Sequence, residues 1–155
     1  MIDEVLESWR INHRITLALL DGVPRGGMTC TLSTRGGRSV GRQLAHIHDV
    51  RVMQMENRAK ALAGDLTKFV SKDEPTKRAL KSALQQSARR VEEWLTRAHQ
   101  GERGFRLMRR GLVSTLGYLI AHESHHRGNI LLTLKQCGRP LDKDLRYGIW
   151  DWNNR

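Results

Sequence analysis

The sequence predicts an all-α protein, a four-helix bundle with a long loop after the first helix and an aromatic C-terminal tail. Apolar residues recur at helical spacing in four segments, at about residues 2–20, 39–63, 76–99 and 114–136. Sections rich in Gly and other turn formers separate these segments. Four helices of this length in a chain of 155 residues favour a single domain that covers residues 1–155.

The first helix is predicted over about residues 2–20. Asp3 and Glu4 lie in its first turn, where negative charge interacts favourably with the positive end of the helix dipole. The run Asp-Gly-Val-Pro at 21–24 ends this helix. A Gly-rich section continues to about Arg38 and predicts a long loop that crosses the molecule.

The second helix is predicted from its N-cap, Ser39, to about Ala63. Its interior face is expected to contain Val40, Leu44, Ile47, Val50 and Met53. The run Asp73-Glu74-Pro75 is a helix-start pattern, because acids and Pro are favoured in a first turn. The third helix is therefore predicted from about Thr76 to His99.

The fourth and most apolar helix is predicted to begin after Ser114 as N-cap and to end near Gln136. The segment before it, 105–110, is ambiguous between a loop and a short extended piece. The tail contains Leu141, Tyr147, Trp150 and Trp152, and is too aromatic for a free extension. We expect the tail to pack across one end of the bundle or against a second subunit.

The composition is that of an ordinary soluble globular protein, with 39% hydrophobic and 28% charged residues. No apolar run approaches the roughly 20 residues that cross a bilayer, and the acidic N-terminus is unlike a secretory signal. We therefore expect a cytoplasmic protein without a membrane span. Cys30 and Cys137 are too few for a disulfide framework and show no CxxC spacing, so free thiols are expected.

The net charge of +11 is unusual for a chain of this size. Such a surplus attracts nucleic acids, anionic membranes and acidic small molecules alike. Arginines are concentrated at 35–42, 89–97 and 103–110, each of which is interpreted first as a solvated helix face or loop. A basic helical nucleic-acid-binding protein is the alternative function. Against it, the chain has no helix-turn-helix punctuation, zinc-finger spacing or aromatic-basic interleaving.

Two histidines of the fourth segment, His122 and His126, are four residues apart and lie about 40° apart around a helix. Both imidazoles can therefore reach one metal ion. Protonating two adjacent buried imidazoles costs free energy, because two positive charges would lie close together away from water. A divalent cation instead binds a ring nitrogen of each imidazole. The alternative is a pair of core or rim histidines that are hydrogen-bonded to backbone or water, and the spacing alone does not choose between the two.

A third ligand is available in the second segment, which contains His46 and His48. His46 shares its face with apolar residues, whereas His48 lies about 160° away from it. His46 is therefore the expected ligand, and His48 is expected to be exposed or paired with an acid. Three histidine nitrogens that leave one position open are typical of a catalytic metal site. The lone His13 and His99 are interpreted as surface residues.

The run His-Glu-Ser-His-His at 122–126 also matches the zinc-protease pattern HExxH. The match is short, and the flanking residues do not resemble those of such proteases. Glu123 is expected on the flank of the helix, about 100° from His122, and is not the expected base. His125 lies about 60° to the other side of His122, at the bundle edge, and is a candidate base.

Four motifs resemble those of the DinB/YfiT-like superfamily, and the resemblance covers nearly the whole chain. They are Asn12 to Leu20 with the following Asp-Gly-Val-Pro, the block Leu-Ala-His-Ile-His-Asp-Val-Arg at 44–51, the block His-Glu-Ser-His-His-Arg-Gly-Asn-Ile at 122–130, and the closing Tyr-Gly-Ile-Trp-Asp-Trp at 147–152. This family is unrelated to the translesion polymerase that shares its name. Asn129 stands where Gln is frequent in the family, a change that leaves the histidines untouched.

The resemblance implies a four-helix bundle in which one His of the second helix and two of the fourth hold a divalent metal ion. These are His46, His122 and His126 here, and Zn, Ni or Fe suits such ligands. The resemblance also implies a homodimer. Several similar proteins are thiol S-transferases that use bacillithiol, mycothiol or another low-molecular-weight thiol, so such a thiol is the implied small-molecule substrate.

The sequence therefore predicts a metal-dependent enzyme of the transferase or hydrolase type. The metal would activate a thiol or a water molecule as the nucleophile. Arg51 or Arg127 is expected to hold an acidic substrate by charge-assisted hydrogen bonds, and His125 is the candidate base. A metal-bearing bundle without activity is a further alternative.

Overall fold

The computed structural model describes residues 1–70, 72 and 74–155. The described chain is all-helical, as the sequence predicts, with no strand among these residues. It contains four long helices and one short one: α1 (Ile2–Gly22), α2 (Val40–Arg58), α3 (Lys77–His99), α4 (Leu112–Gln136) and α5 (Lys143–Gly148). Short 3₁₀ turns are formed by Lys60–Leu62 and Trp152–Asn154. No helix in this part of the chain is both long and apolar enough to span a bilayer.

The helices α1 and α2 each pack against both α3 and α4. The buried apolar residues form two clusters, one at each end of the helical core. One cluster combines the N-terminal halves of α1 and α4 with the C-terminal halves of α2 and α3, around Trp9 and Trp94. The other combines the opposite halves, around Leu44 and Ile130. Helix α2 is therefore antiparallel to its neighbour α4, and α1 is antiparallel to α3.

Consecutive helices α1 and α2 lie diagonally opposite each other, because each packs mainly against α3 and α4. The connection between them, residues 23–39, therefore has to cross one end of the core. This agrees with the long crossing loop expected from its glycines. Ser39 ends the loop as the N-cap of α2, where its Oγ accepts a hydrogen bond from the Arg42 N–H at 3.2 Å and donates one to Glu74 Oε2 at 2.8 Å.

Helix α2 ends at Arg58, earlier than the predicted Ala63. The reason is that the side chain and backbone of Arg106 bind its last carbonyl groups. The Arg106 N–H donates to Arg58 O and its Nη2 donates to Asn57 O, each at 2.8 Å. These bonds replace those that a continued helix would have made.

The other helix boundaries agree with the sequence except at the start of α4. Thr76 is the N-cap of α3, as expected, although Asp73 of the predicted start pattern lies outside the described residues. Helix α4 begins at Leu112, not after Ser114. Gly111 provides the turn with a φ of 92°, a conformation that favours glycine, and its carbonyl accepts the Thr115 N–H at 3.0 Å. The ambiguous segment 105–110 is a loop.

The tail packs against the end of α1 through aliphatic side chains. Leu141 and Ile149 are buried, and Leu145 of α5 lies against Gly22. In contrast, Tyr147 and Trp150 are 62% and 77% exposed. Trp150 and Trp152 nevertheless line a small cavity together with Ile15 of α1 and Leu131 of α4, so part of the aromatic surface of the tail lies against this chain.

Candidate metal centre

The antiparallel packing of α2 against α4 brings three histidines together. His46 of α2 and His122 and His126 of α4 each offer a ring nitrogen, and these atoms all lie within 4.8 Å of one another. The ring centroids are separated by 4.6 Å for His122 and His126, 4.8 Å for His46 and His126, and 5.5 Å for His46 and His122. We call these three residues the histidine cluster.

The spacing of the nitrogens suits a small divalent cation. His122 and His126 are one helical turn apart, and their Nε2 atoms face each other at 3.2 Å. Two nitrogens bound to one tetrahedral zinc ion are about 3.3 Å apart, since each zinc–nitrogen bond is about 2.0–2.1 Å long. The histidine cluster is therefore compatible with a divalent metal ion.

Burial keeps the cluster neutral. His126 is buried, whereas His46 and His122 are half-buried. Burial lowers the pKa of His46 to about 4, and the charges of Arg38 and His122 act in the same direction. Burial, with His122 and His46 as neighbours, likewise lowers the pKa of His126 to about 4, and burial also lowers the pKa of His122. The imidazoles are therefore unprotonated at neutral pH, which is the state that binds a metal.

One side of the cluster faces solvent, and Tyr118 lies at this side. Its ring stacks on that of His122 with the centroids 6.2 Å apart. Gln54 Nε2 of α2 donates to the Tyr118 hydroxyl at 3.3 Å, which links the ring to the facing helix. The sequence reasoning missed Tyr118, although its position four residues before His122 places it on the same helix face.

His125 lies at the edge of the cluster. Its side chain is exposed, and its ring centroid is 5.2 Å from that of His126. Its Nε2 is 3.1 Å from Asn129 Nδ2, one turn further along α4. His125 is therefore exposed beside the cluster, and its catalytic role stays a prediction.

His48 is buried, and the expectation that it is exposed or paired with an acid is wrong. It is 1% exposed, its Nε2 lies 3.0 Å from Thr67 O, and its ring packs edge-on against Phe69. The physical reason is that α2 is covered on most sides, by α4 on one side and by α3 and the segment before it on another. Of the interior face expected for α2, Val40, Leu44, Ile47 and Val50 are buried as expected, and only Met53, at 41% exposed, lies outside it.

Glu123 is not on the flank of α4 but in the middle of the core, where it is 1% exposed. Its carboxylate accepts two hydrogen bonds from Arg51, from Nε at 2.6 Å and from Nη2 at 2.9 Å. Asn12 Nδ2 donates to it at 2.8 Å and Thr16 Oγ1 at 3.3 Å, and Arg127 Nη1 lies at 3.6 Å. We call these five residues the buried polar layer.

The two arginines expected to hold a substrate belong to this layer, which corrects that expectation. Arg51 is 1% exposed, and its Nη1 donates to Leu84 O and Ser87 Oγ. Arg127 is also buried, and it donates to Thr16 Oγ1 at 2.9 Å and Ser124 Oγ at 2.8 Å. No solute can reach the Arg51 guanidinium while the helices stay packed.

The same contacts exclude the zinc-protease interpretation. That mechanism requires the glutamate of HExxH to act as a general base at the metal. Burial alone would raise the pKa of Glu123, but the charge of Arg51 and its hydrogen bonds outweigh burial and hold the pKa below its ordinary value. The carboxylate is therefore ionised and fully engaged by Arg51, so it is not available as a base.

The lone histidines differ in exposure. His99 is exposed, as expected. His13 is partly buried, which corrects its interpretation as a surface residue. Burial, with the charge of Arg51, lowers its pKa to about 3. His13 lines a groove of about 300 Å³ between α1 and α3.

Many of the basic residues are paired within the chain. Arg90 forms an ion pair with Asp65, and Arg97 forms ion pairs with Glu93 and Glu102. The arginines around 89–97 are therefore partly neutralised, in agreement with the interpretation of a solvated helix face.

The buried polar layer predicts a large stability loss when its charge balance is broken. In a Glu123→Gln variant the Arg51 guanidinium would remain buried without a carboxylate, which should lower the free energy of unfolding by about 3–5 kcal/mol in urea denaturation. The matched control is Glu4→Gln, because the Glu4 side chain is 87% exposed. A Glu123→Gln protein as stable as this control would contradict the role assigned to the pair.

No curated protein and no solved structure gives a significant match to this chain. The family model described as the DinB family matches residues 1–144. The matched range contains all four long helices, the histidine cluster and the buried polar layer. The chain therefore belongs to the DinB family.

Proposed function

We propose that the protein is a metal-dependent enzyme in which His46, His122 and His126 bind one divalent cation, Zn, Ni or Fe. The observation that carries this proposal is the convergence of three neutral imidazoles from two helices, with their donor atoms within 4.8 Å of one another. Membership of the DinB family supports it. Three ligands leave a coordination position for substrate or water, as in catalytic rather than structural sites.

The cation would supply Lewis acidity that lowers the pKa of a bound thiol or water. The three histidines would determine where the open coordination position of the cation lies. His126 is buried and its ring is fixed by packing, whereas His46 and His122 remain half-exposed and leave an approach from solvent. Tyr118 covers one face of His122 and thereby borders that approach.

The reaction we propose is transfer of a low-molecular-weight thiol to a small electrophile, or hydrolysis by the same arrangement. His125 is the proposed base, because it is exposed and its ring lies next to that of His126. Arg51 and Arg127 have no part in the proposal, since both are buried. Arg38 is an exposed residue just before α2, and its positive charge contributes to the lowered pKa of all three cluster histidines. A positive charge near the cluster favours acidic substrates.

We also propose that the protein is a homodimer. Support comes from Tyr147 and Trp150, which are exposed in a tail that is otherwise packed on α1. Large exposed aromatic side chains are typical of surfaces that contact another protein.

The ligand assignment predicts that His46→Ala, His122→Ala and His126→Ala each lose bound metal while the protein remains folded, because helix packing supplies most of the stability. The measurement is elemental analysis of protein purified without a histidine tag, together with circular dichroism. His125→Ala is the matched control, since it removes an imidazole from the same helix that is not one of the three proposed ligands. Near-stoichiometric metal in the His122→Ala protein would reject the assignment.

The lowered pKa values predict metal binding that tolerates mild acid. Protons compete with metal only when the pH approaches the pKa of the metal-free ligands, and that is about 4 for His46 and His126. The affinity for Co²⁺ should therefore change little between about pH 7 and about pH 5.5, and fall steeply only as the pH approaches about 4. If the histidines had their ordinary pKa of about 6.5, the metal affinity would fall roughly tenfold for each ligand when the pH is lowered to about 5.5. A loss of about a hundredfold or more by pH 5.5, in absorption titrations with Co²⁺, would contradict this prediction.

The catalytic proposal predicts thiol transfer to a model electrophile by the metal-loaded protein, and no transfer by His126→Ala. His125→Ala should keep its metal but lose roughly 10²- to 10⁴-fold in rate, as expected for removal of a general base. Raising the pH should restore part of this rate, because deprotonation of the thiol in solution replaces the base. An unchanged rate in His125→Ala would reject His125 as the general base. If the metal-loaded wild-type protein turned over neither thiols nor esters, the proposed enzymatic activity would be rejected.

A further inference from the structure

The only two cysteines of the sequence, Cys30 and Cys137, are brought together by the fold although 106 residues separate them. Both are free. Cys30 lies in the loop between α1 and α2, and Cys137 follows directly on α4. Cys137 Sγ lies 3.9 Å from the carbonyl oxygen of Thr31, the residue after Cys30, and Cys30 Sγ lies 3.6 Å from the carbonyl oxygen of Gly26.

The backbone holds both cysteines in place. The Cys30 N–H donates to Gly27 O at 3.1 Å, and its carbonyl accepts from the N–H of Val40, the first residue of α2, at 2.9 Å. The Cys137 N–H donates to Thr133 O of the last turn of α4 at 3.0 Å. Both side chains contact the same apolar cluster. The two cysteines are therefore held close to each other at this end of the core.

The surroundings favour reaction at Cys137 first. Cys30 is 8% exposed, whereas Cys137 is only partly buried. Burial raises the pKa of the Cys30 thiol, and its contact with Cys137 acts in the same direction, while the charge of Arg139 opposes them. Arg139 is held here by hydrogen bonds to Arg25 O at 3.3 Å and Cys137 O at 3.4 Å. The more exposed thiol, Cys137, is the one that a small disulfide can reach from solvent, and the raised pKa of Cys30 makes that thiol the slower nucleophile.

We propose that Cys30 and Cys137 are a redox-active pair that closes to an intramolecular disulfide when the protein meets an oxidising small-molecule disulfide. This function is independent of the metal centre, because neither cysteine belongs to the histidine cluster. It also does not depend on the proposed enzymatic reaction.

The closure follows ordinary thiol–disulfide exchange. The Cys137 thiolate attacks one sulfur of the small disulfide, forms a mixed disulfide and releases one small thiolate. The Cys30 thiol then loses its proton and attacks Cys137 Sγ, which forms the Cys30–Cys137 bond and releases the second small thiolate. Two electrons pass from the protein to the reagent, and the two thiol protons end on the two small thiols.

The disulfide would connect the two elements that carry the histidine cluster. Cys30 is hydrogen-bonded to the first residue of α2, which contains His46, and Cys137 follows α4, which contains His122 and His126. The bond would also close the chain between residues 30 and 137 into a loop. Closing a loop of this length restricts the unfolded chain, so the oxidised form should resist denaturation better than the reduced form.

The test exposes the folded, metal-free protein to oxidised glutathione and follows thiol content and intact mass. The wild type should lose both thiols as a monomer, with its mass reduced by two hydrogen atoms, and its unfolding midpoint in urea should rise. Cys30→Ser should stop at a glutathione adduct on Cys137, because the second attack is removed. Cys137→Ser should keep its buried Cys30 thiol unmodified.

Three results would reject the proposal that Cys30 and Cys137 are a redox-active pair. The wild type could accumulate a stable glutathione adduct on Cys137, it could form a disulfide between two chains, or it could remain unreactive. The double variant Cys30→Ser, Cys137→Ser controls for other effects of the reagent, since its unfolding midpoint should be the same with and without glutathione. A rise of the midpoint in this double variant would show that the stabilisation has another cause.

Discussion

Glu123 and Arg51, a carboxylate and a guanidinium that are both shielded from water, connect all four long helices. Through the buried polar layer they contact Asn12 and Thr16 of α1, and Arg51 also binds acceptors on α3. A buried charge that loses its partner is costly, whereas packed apolar side chains tolerate small shifts. The layer lies between the two apolar clusters, so it fixes how far each helix can slide along its neighbours.

The register that this pair imposes also determines the histidine cluster. Glu123 directly follows His122, and Arg51 lies five residues after His46. When the carboxylate and the guanidinium meet between α2 and α4, the imidazoles of the two helices are brought side by side. One turn of α4 therefore points an acid into the core and a histidine towards α2. A shift of either helix by one turn would separate the imidazoles and leave both charges unpaired.

The parts of the molecule that depend on local spacing could be predicted from the sequence, and those that depend on distant pairing could not. The face shared by His122 and His126 follows from helical geometry, and the caps at Ser39 and Thr76 follow from side-chain chemistry. Glu123 pairs with a residue 72 positions away, and an isolated sequence gives no sign of this pairing. Charged residues are rarely buried, so the local sequence gives no sign that Arg51 and Arg127 lie in the core. His48 was misplaced because α2 is covered on several sides and has no single interior face.

The diagonal placement of α1 and α2 has a consequence for how the chain folds. Consecutive helices that pack as a hairpin can form early from local contacts, but here the main partners of α1 and α2 are α3 and α4. Trp9, for example, donates its indole N–H to the carbonyl of Ala88, 79 residues away. Loop-closure entropy must be overcome before such contacts form, and chains rich in them fold more slowly than helical proteins with local contacts. During synthesis on the ribosome, the apolar faces of α1 and α2 therefore remain exposed to solvent until α3 has emerged.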